Sequence, residues 1–445
     1  MNCKITPVEG LREPTTLSTI PGDKSLSHRA AIFGALALGK SSFQNFLFSE
    51  DCLNTVRILS ALGCSFSMDK DKKTICVEGV GLTGFRSSSN QLDVGNSGTA
   101  IRLLSGVLGC QSFDSTISGD SSIEKRPMKR ISEPLSKMGI VIDGIKKNGN
   151  VYPPLQIKSA SKLSGMTYEL PVASAQVKSA ILLASLYSDE ETTIIEPEKC
   201  RDHTERFLSF YGADFREEGT HLICSGKKEL KAPFSDSAIY LPSDISSAAF
   251  FIVLGCCTGN GLKLEGIGLN PTRDAILSVL KRMGANIKIT RKDNGAVEPY
   301  GDIEVRPARL VNVELKKEEI PFLIDEIPIL AIASLFAEGT FVVRNAEELR
   351  VKESDRVSTV VNLIRSMGGN IEEFEDGFCI DGNKTSFKPF KLDSHGDHRI
   401  AMSGIIGAFS GGVPATVTNC TCINTSFPNF FELIDTLFPN SFVIQ

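Results

Sequence analysis

The chain has 445 residues, of which 41% are hydrophobic and 23% charged, and a formal net charge of -5. This length exceeds one ordinary domain, and the composition is typical of a soluble globular protein with a large core, so two or three domains are expected. The acidic balance disfavours bulk binding to nucleic acid or acidic membranes, and the absence of tryptophan disfavours aromatic platforms for bases.

The twelve cysteines are scattered without a Cys-x-x-Cys pair or a histidine at ligand spacing. The first residues show no signal-peptide pattern, and apolar runs such as Ala248–Cys257 are too short to span a membrane. We therefore expect a cytoplasmic monomer with free thiols, no metal site and no nucleic-acid or membrane partner.

A polar cluster leads into an apolar helix of small residues six times along the chain. The clusters lie between 70 and 81 residues apart and begin at Asp23, Asn96, Ser174, Asp244, Asp325 and Asp397. After each of the first five, an amphipathic helix ends before a glycine and an alternating strand pattern, at Gly63, Gly139, Gly212, Gly284 and Gly368. The pattern predicts a repeat of strand, helix, strand, helix and further strands.

A repeat of this size cannot bury its own helix, so several repeats must pack together. Six repeats in two groups of three predict an α/β (α+β) protein with two similar domains. In each repeat the first helix is expected to be buried, and the sheet and the second helix to lie outside. We expect one discontinuous domain of residues 1–22 and 243–445 and a second of residues 23–242. Because the buried helices begin with polar residues, their positive ends are expected to collect anions in an interdomain cleft.

The first polar cluster, Pro21–Arg29, places Lys24 and Arg29 at a helix start, where cations oppose the helix dipole. This placement is favourable if backbone N–H groups, a hydroxyl and both cations hold an anion there. Similar clusters follow along the chain at Asn96–Arg102, Glu124–Arg130, Arg201–Arg206, Leu349–Arg356 and Asp397–Arg399. In the first of these, we expect Asn96 to cap the second inner helix. Any one of them alone is more typical of a capped helix with surface ion pairs.

Residues 34–41 match the P-loop pattern of nucleotide hydrolases, and residues 321–326 resemble their acidic strand. A P-loop follows a strand and opens a helix. Here Gly34 lies inside a predicted helix, Gly39 is expected to cap that helix, and Ser41 begins a predicted strand. Pro321 is also unsuited to a central strand, so this context disfavours a nucleotide hydrolase.

Taken in order, the motifs resemble those of the 5-enolpyruvylshikimate-3-phosphate synthase family over essentially the full length. The matching stretches are Pro21–Ser25 with Arg29, Gly95–Thr99 with Arg102, Lys125–Met128, Ser174–Ser179, Arg201–Glu205, Ile324–Glu326, Arg350–Arg356 and Asp397–Met402. The resemblance implies two domains of three repeats that close on their substrates. It also implies transfer of the enolpyruvyl group of phosphoenolpyruvate to the 5-hydroxyl of shikimate 3-phosphate, with release of phosphate and without metal or organic cofactor.

The resemblance further assigns residues to each substrate. Shikimate 3-phosphate would be held by Lys24, Ser25, Arg29, Ser174, Ala175, Gln176, Arg201, Asp325 and Lys352. Phosphoenolpyruvate would be held by Lys24, Gly98, Arg126, Gln176, Arg356 and Arg399. Asp325 would be the base toward the 5-hydroxyl, and Glu353 and Lys24 would carry protons; Lys24 is expected to have a lowered pKa because other cations lie beside it.

The chain departs from many family members at Thr425, where they carry a lysine, and in this it is similar to the branch with the Ser-Ala-Gln-Val-Lys-Ser and Arg-Asp-His-Thr-Glu motifs. Two alternatives remain open from the sequence. One is the sister enolpyruvyl transferase that acts on UDP-N-acetylglucosamine, and the other is a non-catalytic anion-binding repeat protein. The second would need the cations but not Asp325 and Glu353 among them.

Overall fold

The structure, a computed structural model, describes residues 1–6, 14–226, 228–233, 238–259, 261–292 and 296–445. The chain forms two compact units. The central unit comprises Gly22–Leu241 and Gly295–Val297. The discontinuous unit comprises Met1–Pro21, Pro242–Asn294 and Glu298–Gln445. Each unit has its own hydrophobic core.

Two short strands, β1 (Cys3–Ile5) and β2 (Thr15–Leu17), precede the first helix. The central unit then follows the predicted alternation of helices and strands three times. Its elements are α1 (Lys24–Leu36), β3 (Leu38–Gln44), α2 (Glu50–Ala61), β4 (Ser65–Asp69), β5 (Thr74–Val80), β6 (Leu92–Asp93), α3 (Gly98–Leu108), β7 (Ser115–Ser118), α4 (Lys129–Lys137), β8 (Val141–Lys147), β9 (Asn150–Lys158), β10 (Thr167–Glu169), α5 (Ala175–Ser185), β11 (Thr192–Ile195), α6 (His203–Phe210), β12 (Asp214–Glu218), β13 (His221–Ser225) and β14 (Ile239–Tyr240).

The discontinuous unit repeats the same alternation three more times, so the predicted α/β repeat is confirmed. Its elements are α7 (Ile245–Cys257), β15 (Leu262–Gly268), α8 (Ala275–Arg282), β16 (Asn286–Lys292), β17 (Tyr300–Arg306), β18 (Leu310–Val311), α9 (Ile320–Leu323), α10 (Ile327–Ser334), β19 (Ala337–Glu338), β20 (Thr340–Val343), α11 (Arg356–Met367), β21 (Asn370–Phe374), β22 (Gly377–Asp381), β23 (Phe390–Asp393), α12 (His398–Gly411), β24 (Ala415–Thr418), α13 (Phe430–Leu437) and β25 (Phe442–Ile444).

Among the described residues, five sheets are four-stranded, with one parallel edge pair and two antiparallel pairs, whereas the fifth repeat has a two-stranded and a three-stranded sheet. Two strands pair outside their own repeat. In the second repeat the order is β6-β7-β9-β8, with a parallel first pair followed by antiparallel pairs. β14 precedes α7 but pairs in parallel with β3, and β2 precedes α1 but pairs in parallel with β15. The N-terminal β1 completes the last sheet between β24 and β25. These exchanges give the discontinuous unit its separate chain segments.

The first helix of each repeat is an inner helix, buried on all sides, as predicted from its apolar small-residue composition. The inner helices are α1, α3 and α5 in the central unit and α7, α10 and α12 in the discontinuous unit, and buried residues fill nearly all of each. Polar N-cap side chains accept from first-turn amides at Asp23, Ser97, Ser174, Asp244 and Asp397. The inner helices therefore carry their polar groups at their N-terminal ends.

The glycines predicted to follow the second helices all take the left-handed conformation, with φ between 74° and 103°, at Gly63, Gly139, Gly212, Gly284 and Gly368. The sixth repeat also has a second helix, α13, which the sequence analysis did not predict. Its C-cap residue is Phe438, and no glycine follows it in the sequence. A search for a glycine after each second helix therefore misses this one.

Two local predictions are wrong. Gly39 does not cap α1, because the helix ends at Leu36 and Gly39 lies within β3. Asn96 does not cap α3, because the Ser97 hydroxyl accepts the hydrogen bond from the first-turn amide instead. Pro321 lies outside any acidic strand, as expected from the sequence, and stands in the first turn of the short helix α9, where a missing N–H costs nothing.

Gly106 marks the closest approach between two inner helices and gives a stability prediction. A Cβ at Gly106 on α3 would lie 2.2 Å from the Ala180 carbonyl oxygen on α5, whereas a Cβ at Gly255 on α7 would have its nearest contact at 3.4 Å. We expect Gly106→Ala to lower the free energy of unfolding by about 1–3 kcal/mol through overpacking. The matched change Gly255→Ala should be neutral or stabilising by up to about 1 kcal/mol, because alanine favours helix. Thermal unfolding of both variants checks this, and equal midpoints would contradict the close helix contact.

Candidate active site

Lys24 opens α1, the first inner helix of the central unit. Its ammonium lies 3.1 Å from Oδ2 of Asp51, a carboxylate in the first turn of α2. The side chains are 20% and 7% exposed, so the pair is largely withdrawn from water. The lysine therefore lies beside a carboxylate. The sequence does not indicate this partner, because it lies 27 residues further along the chain.

Arg29 lies on the next turn of α1 and is almost fully buried. Its Nε donates to Thr204 Oγ1 at 2.8 Å, and its Nη2 donates to Ser179 Oγ at 2.9 Å. Its Nη1 donates to the Ser25 carbonyl oxygen at 3.1 Å. The two hydroxyl groups are also hydrogen-bonded to each other at 2.7 Å. These hydroxyls fix the orientation of the guanidinium without cancelling its charge.

Gln176 joins the starts of α3 and α5. Its Oε1 accepts from Arg102 Nη1 at 2.6 Å, and its Nε2 donates to Thr99 Oγ1 at 3.2 Å. Arg102 Nη1 also donates to the Gly98 carbonyl oxygen at 3.4 Å. The donor and acceptor ends of the amide are thus assigned by its partners, and the side chain is held in one orientation.

The other central-unit residues assigned to shikimate 3-phosphate also lie at helix starts. The Ser174 hydroxyl caps α5 by accepting from the Val177 amide at 3.5 Å, and Ala175 is the first residue of that helix. Arg201 is half-buried and immediately precedes Asp202, the N-cap residue of α6. First-turn N–H groups attract anions, so both positions suit a phosphate or a polar substrate.

Arg126 and Gly98 fit each other closely. Arg126 Nη2 donates to Asn96 Oδ1 and to Ser122 Oγ, both at 3.2 Å, and the residue is 8% exposed. A Cβ at Gly98 would lie 2.6 Å from Arg126 Nη1 and 3.0 Å from Arg102 Nη1. A larger residue at position 98 would therefore shift the Arg126 guanidinium from this position.

His28 is a buried polar residue of α1 that the sequence analysis did not select. Its Nδ1 lies 2.8 Å from Thr55 Oγ1 and its Nε2 lies 3.3 Å from Ser97 Oγ. Burial, with the charges of Lys24 and Arg29, lowers the pKa of His28 to about 3. The imidazole is therefore neutral at neutral pH, and it ties α1 to α2 and to the cap of α3.

Arg356, the first residue of α11, organises the candidate residues of the discontinuous unit. Its side chain is 1% exposed. Its Nε lies 2.9 Å from Asp397 Oδ2, its Nη1 3.1 Å from Asp325 Oδ1, and its Nη2 2.6 Å from Glu353 Oε2. Burial opposes the charge, but the three carboxylates outweigh it and raise the pKa of Arg356. Arg356 is thus a buried permanent cation that fixes two of the predicted catalytic carboxylates.

A second arginine reaches Asp325, which lies between α9 and α10. Arg399 Nε is 3.5 Å from Asp325 Oδ1, and Arg399 Nη1 donates to the Asp325 carbonyl oxygen at 3.1 Å. The Asp325 side chain is 18% exposed. Two cations favour the ionised carboxylate, and its partial exposure leaves it accessible to a proton donor.

Lys352 lies between a 3-10 helix, Glu347–Val351, and α11. Its ammonium is 3.1 Å from Glu348 Oε1. Burial lowers the pKa of Lys352, although Glu348 and Asp325 act in the opposite direction. Lys352 therefore releases its proton more readily than an ordinary surface lysine.

Thr425 closes the 3-10 helix Cys420–Thr425 and donates its hydroxyl to the Cys422 carbonyl oxygen at 2.7 Å. It holds the backbone at this position and supplies no positive charge. In the described ranges, no three or more His, Cys, Asp or Glu side chains are placed to hold a metal ion. No helix in the same ranges is long and apolar enough to cross a membrane.

Within the units, the structure brings predicted residues together in three places. Ser25 contacts Arg29, Gly98 lies against Arg126, and a larger cluster contains Asp325, Glu353, Arg356 and Arg399. The partners that orient these residues were not predicted from the sequence. Asp397 and Thr204 lie in motifs that the sequence analysis quoted, but no role was predicted for them. Asp51 lies outside those motifs, and no sequence pattern marks it as a partner of Lys24.

Comparisons with known proteins give a consistent result. The family model described as EPSP synthase (3-phosphoshikimate 1-carboxyvinyltransferase) matches residues 13–434. The 3-phosphoshikimate 1-carboxyvinyltransferase of Petrotoga mobilis is 46% identical over 98% of this chain and 99% of the relative. The Bacillus subtilis protein of the same name is 44% identical over 94% of this chain and 96% of the relative.

Solved structures agree with these relatives. An EPSP synthase from Acinetobacter baumannii superposes with a TM-score of 0.84 at 40% identity, covering 98% of each chain. The enolpyruvyl transferase NikO from Streptomyces tendae has a TM-score of 0.76 at 17% identity, covering 98% of this chain and 97% of the other, and shows the fold alone. The predicted enolpyruvyl transferase fold is thereby confirmed. The relatives support the predicted transferase over both alternatives from the sequence, and the chain belongs to the EPSP synthase (3-phosphoshikimate 1-carboxyvinyltransferase) family.

Proposed function

We propose that the residues described above carry out the reaction of this family on shikimate 3-phosphate and phosphoenolpyruvate. The new bond joins the 5-oxygen of shikimate 3-phosphate to C2 of phosphoenolpyruvate. The bond that breaks joins C2 to the phosphate oxygen. C3 gains a proton in the first step and loses one in the second, so atoms and electrons balance without an oxidant or reductant.

Shikimate 3-phosphate is assigned to helix starts of the central unit and to two residues of the discontinuous unit. The full set is Lys24, Ser25, Arg29, Ser174, Ala175, Gln176, Arg201, Asp325 and Lys352. Support comes from Arg29, which is oriented by the hydroxyls of Thr204 and Ser179, so that its charge is fixed in place before the substrate binds. First-turn N–H groups of α1 and α5 add donors that suit anionic oxygens.

Phosphoenolpyruvate is assigned to four cations and two neutral residues, Lys24, Gly98, Arg126, Gln176, Arg356 and Arg399. Arginine suits its carboxylate and phosphate because the guanidinium makes two parallel hydrogen bonds. Arg356 and Arg399 both contact the Asp325 carboxylate in this structure. The incoming anion therefore competes with Asp325 for these two cations.

The observation that carries the proton-transfer assignment is the pair of carboxylates, Asp325 and Glu353, held on one buried guanidinium. A protein that only bound anions would gain nothing from carboxylates that repel its ligand. Asp325 is the base that takes the proton of the 5-hydroxyl. Glu353 and Lys24 carry the proton to and from C3, and transfers in such a site are coupled.

Phosphate release tests the reaction directly. We expect release from phosphoenolpyruvate with shikimate 3-phosphate as acceptor and none with UDP-N-acetylglucosamine. Folded protein that releases phosphate only with the second acceptor would reverse the assignment. Folded protein that binds both substrates without release would favour the anion-binding alternative.

The proton-transfer roles predict a loss of turnover without a loss of binding. Asp325→Asn and Glu353→Gln should each lower kcat by about 100-fold or more, the range of general acid–base catalysis, and leave substrate affinities within about fivefold. Glu347→Gln is a matched control, because Glu347 is an exposed carboxylate of the same segment. A variant with full kcat would remove that residue from the proton-transfer step.

The contact between position 98 and Arg126 predicts a change in substrate affinity. Gly98→Ala places a methyl group only 2.6 Å from the present position of Arg126 Nη1. KM for phosphoenolpyruvate should therefore rise about tenfold, while KM for shikimate 3-phosphate changes less than about threefold. Gly255→Ala, the same change in an inner helix of the other unit, should leave both values unaltered. Equal rises for both substrates would show general disruption instead of displacement of Arg126.

A further inference from the structure

Lys178 of α5 is a fully buried cation that the proposed reaction does not use. Its ammonium lies 2.8 Å from Glu196 Oε1 and 2.5 Å from Glu205 Oε1, and it donates to the Cys200 carbonyl oxygen at 3.4 Å. The three contacts equal the three hydrogens of the ammonium. Although burial lowers the pKa of Lys178, the neighbouring carboxylates raise it further, so the residue stays charged.

The three partners span the connection between β11 and α6, residues 196–205. Glu196 directly follows β11, and Glu205 lies in the first turn of α6. Glu196 Oε1 also accepts from the Cys200 amide at 3.3 Å and from the Cys200 thiol at 3.0 Å. The ammonium on α5 therefore contacts this connection at both ends, through Glu196 and Glu205, and in the middle, through Cys200.

Arg201 follows Cys200 in this connection, and the residues after Arg201 are also held by side-chain contacts. Asp202 Oδ2 lies 2.9 Å from Arg206 Nη2. Thr204 Oγ1 is 2.7 Å from Ser179 Oγ, so the residue after Lys178 on α5 holds the same connection from the other side. The backbone is thus anchored to α5 on both sides of Arg201.

We infer that Lys178 is a positioning residue for Arg201: its ammonium ties residues 196–205 to α5 and so fixes where the Arg201 guanidinium meets shikimate 3-phosphate. This rests on the proposed function, in which Arg201 and the start of α5 bind that substrate. A buried ion cluster is often no more stable than a neutral one of the same volume, so stability alone does not explain the charges. Three charged hydrogen bonds from one ammonium do explain a fixed geometry.

The test removes the charges together. Lys178→Met alone would leave two buried carboxylates without a cation and would unfold the protein, so it is combined with Glu196→Gln and Glu205→Gln. We expect this neutral triple variant to fold, with Kd for shikimate 3-phosphate raised about tenfold by calorimetry, and with kcat and the KM for phosphoenolpyruvate changed less than about threefold. Unchanged affinity for shikimate 3-phosphate in the folded variant would overturn the inference.

A double-mutant cycle with Arg201→Met separates positioning from general stability. If Lys178 acts through Arg201, the triple change adds less than about twofold to the Kd once Arg201 is gone. Additive effects would overturn the inference. If Arg201→Met alone leaves the Kd unchanged, the assignment of Arg201 under the proposed function fails instead.

Two further variants complete the design. Ile181→Val removes one buried methyl group from α5 and should lower stability without changing the Kd, which controls for loosening of the helix. Glu205→Gln alone leaves one lysine facing one carboxylate, and should raise the Kd about threefold with the same non-additivity toward Arg201→Met. An unchanged Kd in Glu205→Gln would overturn the inference if the triple variant does not fold.

Discussion

A helix that is apolar on every side can carry polar chemistry only at its ends. The inner helices of both units obey this constraint, because their sides are buried and their N-cap residues are polar. The end that remains available is the positive end of the helix dipole. Under the proposed function, anion recognition at Lys24, Gly98, Ala175 and Arg399 is thus a consequence of how the core is built, since each of these residues stands in the first turn of an inner helix.

The second requirement is that each buried charge near these ends has a partner. Arg356 is surrounded by three carboxylates and Lys178 by two. Removing either cation alone would leave buried carboxylates uncompensated, at a cost of several kcal/mol. Hydroxyl groups contribute as well, because those of Thr204 and Ser179 orient the Arg29 guanidinium. Buried cations in both units are therefore held in fixed positions by the polar groups around them.

The sequence predicted what depends on neighbouring residues and missed what depends on distant ones. Inner helices, their polar starts and the five glycines after the second helices follow from local composition and conformation, so they were predictable. The strands Cys3–Ile5 and Thr15–Leu17 are too short to show an alternating pattern, and their partners lie hundreds of residues away. Likewise, Asp51 faces Lys24 only because α2 packs on α1. The P-loop match failed for the converse reason, since its residues fit locally but belong to a helix end and a strand.

Under the proposed function, charge balance at Arg356 also links substrate binding to proton transfer. In this structure Asp325 is the partly exposed member of the cluster, and both Arg356 and Arg399 hold its carboxylate. When an anionic substrate takes over one of these arginines, Asp325 loses a cationic neighbour and becomes a better proton acceptor. Asp397 is fully buried and remains on Arg356 Nε, so the guanidinium keeps its position during the exchange. The base is therefore activated by the arrival of phosphoenolpyruvate, because the cations that restrain the base are the ones assigned to this substrate.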